Sequence, residues 1–346
     1  MTGILESEIN EQPQILARLL TEERAAVEKI AAAIRARAPR YVMLAARGSS
    51  DNAARYSQYL FGSLNALPAA LATPSIFTLY EQPPIMEDAL VISISQSGQS
   101  PDIVAVVAEG RRQGALTIAI TNAPDSPLAQ TAEHTINLHA GTEKAVAATK
   151  TYTTSLMALA MLSSALAGDS SRFETLAQIP GWVEEILSNQ QQTIVAAERY
   201  AYIDYCVVAS RGYNYASAYE VALKLKELAY IIAEPYSSAD FQHGPLALVE
   251  HGFPVIAVVP EGILAAELVT FFSNLKERGA DLIMISADQT ALALAQTPLA
   301  IPGGIPEWAS PAVIVVQGQL FALGLTLAKR FDTDKPRGIT KVTLTK

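Results

Sequence analysis

The chain has 346 residues, enough for two domains of ordinary size, and half of them are hydrophobic against 17% charged, a balance that excludes disorder and implies large buried cores. With 25 basic against 34 acidic side chains, a net charge of -9 and no Lys/Arg-rich run or aromatic-basic stripe, nucleic acid is not an expected partner. A small anionic ligand, held locally by helix N-termini and loop amides, is compatible with that charge.

The opening stretch MTGILESEINEQPQ carries acids where a signal peptide needs a basic start. No apolar segment reaches the roughly 18 residues expected of a membrane span, so no membrane partner is expected. The single cysteine, Cys206, lies in the apolar run YCVVA and can form no intrachain disulfide. A reducing, cytoplasmic setting follows as the expectation, with Cys206 as core filler.

A helical segment is predicted over about 5–38. Short apolar runs then recur at 41–46, 89–95, 116–121, 205–210, 253–259 and 282–287, each followed by a polar loop and a helical pattern. They read as parallel strands buried on both faces, with helices such as AARYSQYLFGSL and AAELVTFFSNLKERGA as the crossovers. The fold class predicted is α/β, with open parallel sheets flanked by helices as three-layer sandwiches. The halves echo one another: Gly48 and Gly212, like Gly98 and Gly262, lie 164 residues apart at strand ends, each of the first pair preceded by an arginine. That spacing suggests a duplicated domain. The expected organisation is an N-terminal helical segment (1–38), a first domain (39–168), a helical linker (169–200), a second domain (201–333) and a C-terminal tail (334–346).

The stretch SISQSGQSPD lies where a strand gives way to a helix. Ser100 is a natural N-cap, Pro101 suits the first helical position, and Asp102 complements the helix dipole. Gly98 would let the backbone approach a ligand, and Ser95, Gln96, Ser97 and Ser100 can donate neutral hydrogen bonds to phosphate oxygens. A turn that merely caps its helix explains the same residues. Neither GxGxxG nor GxxxxGK[ST] supports a nucleotide. A second loop, RGSSDNAARY, repeats the chemistry with Gly48, Ser49 and Ser50, so two loops in one domain could close on a phosphorylated small molecule.

In YASAYEVALKLKELAYIIAEPY, Glu220, Lys224 and Glu227 are spaced to share one helix face. A solvated charge pair is the plain alternative. The loop EPYSSADFQHGPLALVE follows, in which His243 precedes Gly244-Pro245 and could deliver an imidazole to a site. His134, His139 and His251 read as structural, and no HExxH or Cys/His cluster suggests a metal. Lys341, in the polar tail FDTDKPRGITKVTLTK, could close over a ligand as a lid.

The motifs SISQSGQSPD, AGTEKAVAATKTYTTSL, YEVALKLKELAYIIAEPYSSADFQHGPLAL and DTDKPRGITKVTLTK, in this order, resemble the double sugar isomerase (SIS) domain family. Its members include the isomerase portion of glutamine–fructose-6-phosphate amidotransferases. The resemblance covers nearly all of 40–346 and implies two tandem SIS domains. Those amidotransferases carry a glutaminase domain with an N-terminal cysteine ahead of the isomerase, whereas this sequence opens MTGILESEIN with cysteine at 206. Activity without glutamine hydrolysis is therefore expected, as in the stand-alone glucosamine-6-phosphate deaminases and the deglycases of the family.

Matched residue by residue, the resemblance implies phosphate contacts at Ser50, Ser95, Gln96, Ser97 and Ser100 and sugar contacts at Ser49, Val146 and Ala148. It implies a catalytic Glu227, a ring-opening His243 reaching the site from a partner subunit of a homodimer, a C-terminal Lys341, and supporting Glu220 and Lys224. Where the family reads VAST this chain reads VAAT, so Ala148 replaces a hydroxyl near the sugar. The reaction expected is conversion of glucosamine-6-phosphate, or a related amino-sugar phosphate, to a ketose phosphate and ammonia, with no cofactor. Lys224 is expected to keep the Glu227 carboxylate ionised. The alternatives are aldose/ketose isomerisation, cleavage of a fructosamine phosphate, and a phosphosugar sensor without catalysis.

Overall fold

A strand with helices on both faces has no solvent side toward which to alternate, so it is written as an unbroken apolar run. The computed structural model, which describes residues 3–341, shows this six times. Five strands form the first sheet: β1 (Tyr41–Ala45), β2 (Ala69–Leu71), β3 (Ala89–Ile94), β4 (Leu116–Thr121) and β5 (His134–Asn137). Five form the second: β6 (Tyr205–Ser210), β7 (Ile232–Ser237), β8 (Pro254–Val259), β9 (Asp281–Ser286) and β10 (Thr297–Ala300). The six expected strands appear within one residue of their expected bounds. The four not anticipated, β2, β5, β7 and β10, are the edge strands. Their burial is partial or alternating, as in Ala69–Leu71, where no residue is buried.

All pairings are parallel, and the orders β2-β1-β3-β4-β5 and β10-β9-β8-β6-β7 are the same order read from opposite edges. The second sheet thus repeats the first, strand for strand, as the 164-residue spacing suggested. Crossover helices lie between consecutive strands, for example Ser49–Asn65 between β1 and β2 and Pro101–Arg112 between β3 and β4. The protein is an α/β protein with two such sheets flanked by helices.

Two compact units contain these sheets. Among the described residues, the N-terminal unit comprises Gln14–Glu143, Lys150–Gln178 and residues 340–341; the C-terminal unit comprises residues 3–13, Lys144–Thr149 and Ile179–Ile339. Specific hydrogen bonds tie the sequence-distant pieces into the latter. Asp334 accepts the Ile4 and Leu5 amides at 3.0 and 2.9 Å, satisfying donors at the start of helix Ile4–Asn10. From the same helix, the buried Glu8 carboxylate accepts the amides of Lys144 and Ala145. Tail residues 342–346, part of the expected lid, lie outside the described residues.

The helix Pro311–Ala328 corrects one sequence expectation. It is long and apolar enough to cross a membrane by length and composition, yet 89% of it is buried inside the protein. That burial marks a core helix, and its Gln317 and Gln319 are satisfied there by Thr193 and by Gln12 and Thr149. Cys206 is buried in β6, and burial pushes its thiol up to about 12, which fits an inert filler.

Helix Pro311–Ala328 packs against helix Gln190–Glu198 through Gly324, where a Cβ would lie 2.5 Å from the Ile194 carbonyl oxygen and 2.7 Å from its Cα. Alanine is the better helix former by about 1 kcal/mol, but overpacking against backbone typically costs about 1–3 kcal/mol. The clash should win, so Gly324→Ala is expected to lower the thermal midpoint. A raised midpoint in a thermal melt would contradict this packing.

Candidate active site

In an open α/β sheet of this strand order, the connections leave in opposite directions from β1 and β3, and ligands bind in the crevice beyond their carboxyl ends. The two serine loops of the N-terminal unit follow those two strands. Pro101 opens helix Pro101–Arg112 and Ser100 is its N-cap, yet the Ser100 side chain makes no capping hydrogen bond. The side chains of Ser50, Gln96 and Ser100 have no hydrogen-bond partner among the described residues. Ser95 and Ser97 are partly engaged, accepting the amides of Gly98 at 3.1 Å and Gln99 at 3.3 Å. Gly98 has φ of 61°, and a Cβ there would lie 2.0 Å from Ser126 Oγ. Its smallness is therefore needed by the neighbouring turn.

A cation joins the loops. Arg47 donates from Nε and Nη2, each at 2.9 Å, to the buried Asp102 carboxylate, while half of its own side chain stays exposed. Asp102 in turn accepts the Ile103 amide. The first loop is thus fastened to the start of the helix behind the second. Nearby, the Asn122 amide donates to the Gln96 carbonyl at 3.2 Å, and its side chain fixes the 140–141 turn through the Ala140 amide and Gly141 carbonyl.

Beyond that turn lies Glu143, whose fully buried side chain accepts from the Thr151 amide and hydroxyl at 3.1 and 2.7 Å and from Lys341 Nζ at 2.6 Å. Burial pushes this carboxyl upward, but the Lys341 ammonium and the Thr151 donors outweigh it and hold it below the usual range. Lys341 is accordingly pinned within the N-terminal unit.

In the C-terminal unit, helix Tyr215–Lys224 continues as a π-helical turn over Leu225–Ala229, a local form enriched at functional sites. Tyr230 ends it in the left-handed region at φ 55°. Lys224, 1% exposed, lies 3.4 Å from Glu220 and 2.5 Å from Glu227, as their shared face implied. Burial alone would lower the lysine, and the carboxylates of Glu227 and Glu220 reverse that, holding the ammonium above its usual range. Glu220 is inaccessible, whereas 24% of the Glu227 side chain is exposed. Glu227 is therefore the member of the triad that a ligand can reach. The tail braces this turn: the Arg337 amide donates to the Tyr230 hydroxyl at 2.8 Å and its guanidinium stacks 4.0 Å from the ring centroid.

His243 does not join that triad. It is exposed at the end of helix Ser238–Gln242, which follows β7, whereas Glu227 precedes β7. The six residues of β7 lie between them along the chain, and no hydrogen bond or ion pair joins the two side chains among the described residues. Ser49 opens helix Ser49–Asn65, and Val146 and Ala148 are half-buried in an irregular segment of the C-terminal unit. His139 is bonded to Glu23 at 2.7 Å, a structural role. Among the described residues no group of His, Cys, Asp or Glu is arranged to hold a metal ion. A cavity of about 660 Å³ in the C-terminal unit, lined by Thr193, Gln317 and Pro298 among others, contains none of the expected site residues. Sequence reasoning passed over Arg47 and Glu143 as site residues. Arg47 had a signal in the repeated Arg-Gly pair, and Glu143 stood inside a quoted motif without a partner to single it out.

Comparison with known proteins agrees with this architecture. The sequence pattern of the SIS domain matches residues 37–165 and 205–329. The chain is 33% identical over 349 residues to a glutamine–fructose-6-phosphate aminotransferase of Thermus thermophilus and 35% identical over 352 residues to that of Thermococcus kodakarensis. Each alignment covers 96% of this chain and 57% or 56% of the relative, so the chain spans little more than half their length. Among solved structures, a protein of Silicibacter pomeroyi provisionally called a phosphosugar isomerase superposes with a TM-score of 0.87 at 33% identity, covering 96% of this chain and 100% of the other. The C-terminal domain of the Francisella tularensis aminotransferase gives 0.85 at 26%, covering 97% and 99%. A glucosamine-6-phosphate deaminase of Thermotoga maritima shares the fold, with a TM-score of 0.79 at 21% identity over 99% of this chain and 100% of the other. By its sequence and by both of its sheets, the chain belongs to the SIS domain family, with two SIS regions in tandem.

Proposed function

We propose that the chain is a phosphosugar isomerase that acts as a deaminase, taking glucosamine-6-phosphate or a related amino-sugar phosphate to a ketose phosphate and ammonia. The observation that carries this reading is the Glu220–Lys224–Glu227 cluster, in which a buried ammonium holds one accessible carboxylate in place. A carboxylate so held is suited to removing a carbon-bound proton and returning it to the adjacent carbon. The ligand class is supported by the serine loops at β1 and β3, whose Ser50, Gln96 and Ser100 groups are open to an oxyanion. Arg47 adds a positive charge beside them. The family relatives supply the chemistry by name, as aminotransferases of fructose-6-phosphate and as a phosphosugar isomerase.

In this reading Glu227 takes the proton from the amine-bearing carbon of the open-chain sugar, leaving an enolamine. Reprotonation at the neighbouring carbon gives an imine, and water hydrolyses it to the ketose phosphate and ammonia. His243 moves the proton in ring opening. Because His243 and Glu227 lie at opposite ends of β7, we assign His243 to the site of a second copy of the chain, in a homodimer. Ser49, Val146 and Ala148 would face the sugar, and the methyl of Ala148 would offer it no hydrogen bond. The buried, reduced Cys206 fits a cytoplasmic setting.

Ammonia and a ketose phosphate are expected from glucosamine-6-phosphate, and Glu227→Gln should lower kcat by about 10²- to 10⁴-fold with the substrate's Kd nearly unchanged. A coupled ammonia assay beside a binding titration checks this; sugar-phosphate isomerisation without ammonia would select the simple isomerase instead. Since the Ser100 hydroxyl caps nothing, Ser100→Ala should leave the thermal midpoint unchanged yet weaken sugar-phosphate binding about 2- to 10-fold, the worth of one hydrogen bond. Unchanged binding would remove Ser100 from the site. Finally, mixing inactive Glu227→Gln and His243→Ala chains should restore about a quarter of wild-type activity, because half of the random dimers hold one intact site. No restoration after confirmed subunit exchange would refute the shared site.

A further inference from the structure

The two serine loops have counterparts 164 residues further on, where Gly212 answers Gly48 and Gly262 answers Gly98. In the C-terminal unit these loops follow β6 and β8, the strands at which that sheet's order reverses, so a ligand crevice is expected there too. The chain seats its own carboxylate at that place. Glu307 accepts the Ile263 amide at 3.0 Å, and the Leu264 amide next to it also favours the ionised carboxylate; these two positions answer Gln99 and Ser100 of the serine loop. The carboxylate touches both loops at once. A Cβ added to Gly262 would fall 2.4 Å from Glu307 Oε2, and one added to Gly212 would fall 3.3 Å from Oε1.

Other features of the first crevice recur around it. Arg211, which precedes Gly212, pairs with Glu267 in the first turn of helix Ala265–Glu277 at 3.3 Å, as Arg47 pairs with Asp102. The loop's own acid, Glu261, is turned away to the Gly304 amide at 2.6 Å. Burial pushes the Glu307 carboxyl upward while the Ile263 and Leu264 amides pull it down. A side chain from 44 residues away, placed against both loops, does more than a local helix cap.

We infer that the C-terminal unit contains a second oxyanion pocket, closed by Glu307, and that removing this side chain opens it to inorganic phosphate. Likening it to a phosphate pocket rests on the function proposed for the serine loops; the seating of Glu307 does not. One phosphosugar per chain follows, because one of two equivalent crevices is filled from within.

Equilibrium dialysis of the full chain against labelled inorganic phosphate tests the inference. Glu307→Ala is expected to bind one equivalent more than wild type, and equal binding by the two overturns the proposal. Wild type binding none while the variant binds one would uphold the closed pocket and discard the phosphate role of the serine loops. If the variant is too unstable to dialyse, phosphate should raise its melting midpoint, relative to chloride at equal ionic strength, by more than it raises that of wild type. Equal shifts overturn the inference.

Discussion

Parallel pairing is the constraint from which the rest of each unit follows. When every strand of a sheet runs the same way, all carboxyl ends emerge on one edge, and each return journey must be made by a helix that starts there. That edge gathers unpaired helix amides and the loops that satisfy them. Where the connections from neighbouring strands leave in opposite directions, a crevice remains. In the N-terminal unit the crevice is lined by hydroxyl and amide side chains; in the C-terminal unit Glu307 fills it. The same backbone plan thus leaves one crevice lined by uncommitted polar side chains and the other occupied by a carboxylate, according to a few side chains.

The second constraint is electrostatic. A buried ammonium is costly unless paired, and Lys224 meets that cost with two carboxylates, one of them sealed from solvent and the other partly open. The pairing holds Glu227 at a fixed point of the π-helical turn. Glu143 is the converse case, a sealed carboxylate that needs Lys341 and two Thr151 donors. In both places, a charge that burial would otherwise neutralise is kept by partners of opposite sign, and chemistry that depends on ionised groups becomes available.

The legible parts of the fold were the central strands, since ALVISI and LTIAIT are apolar along their whole length because both faces are covered. Edge strands such as Ala69–Leu71 lack such a run, being short and partly exposed, and they carry no comparable signal. Much of the candidate site was legible as well. The spacing of Glu220, Lys224 and Glu227 is a property of one helix, and the run of serines at a strand end is a property of one loop. Arg47 on Asp102 was not legible, because the partner lies 55 residues away and neither side chain changes the local pattern.

By itself the sequence determined what depends on neighbours along the chain: the six central strands, the helices that follow them, the duplicated glycines and the motifs of the SIS family. Only the tertiary structure decided what depends on distant partners. It placed the first helix and the 144–149 segment with the second sheet, Lys341 on Glu143, and Glu307 on the Ile263 amide. It also put Glu227 and His243 at opposite ends of β7. The physical reason is that hydrophobic periodicity and turn chemistry act over a few residues, whereas ion pairs and carboxylate–amide bonds join groups that only folding brings within 3 Å or so of each other.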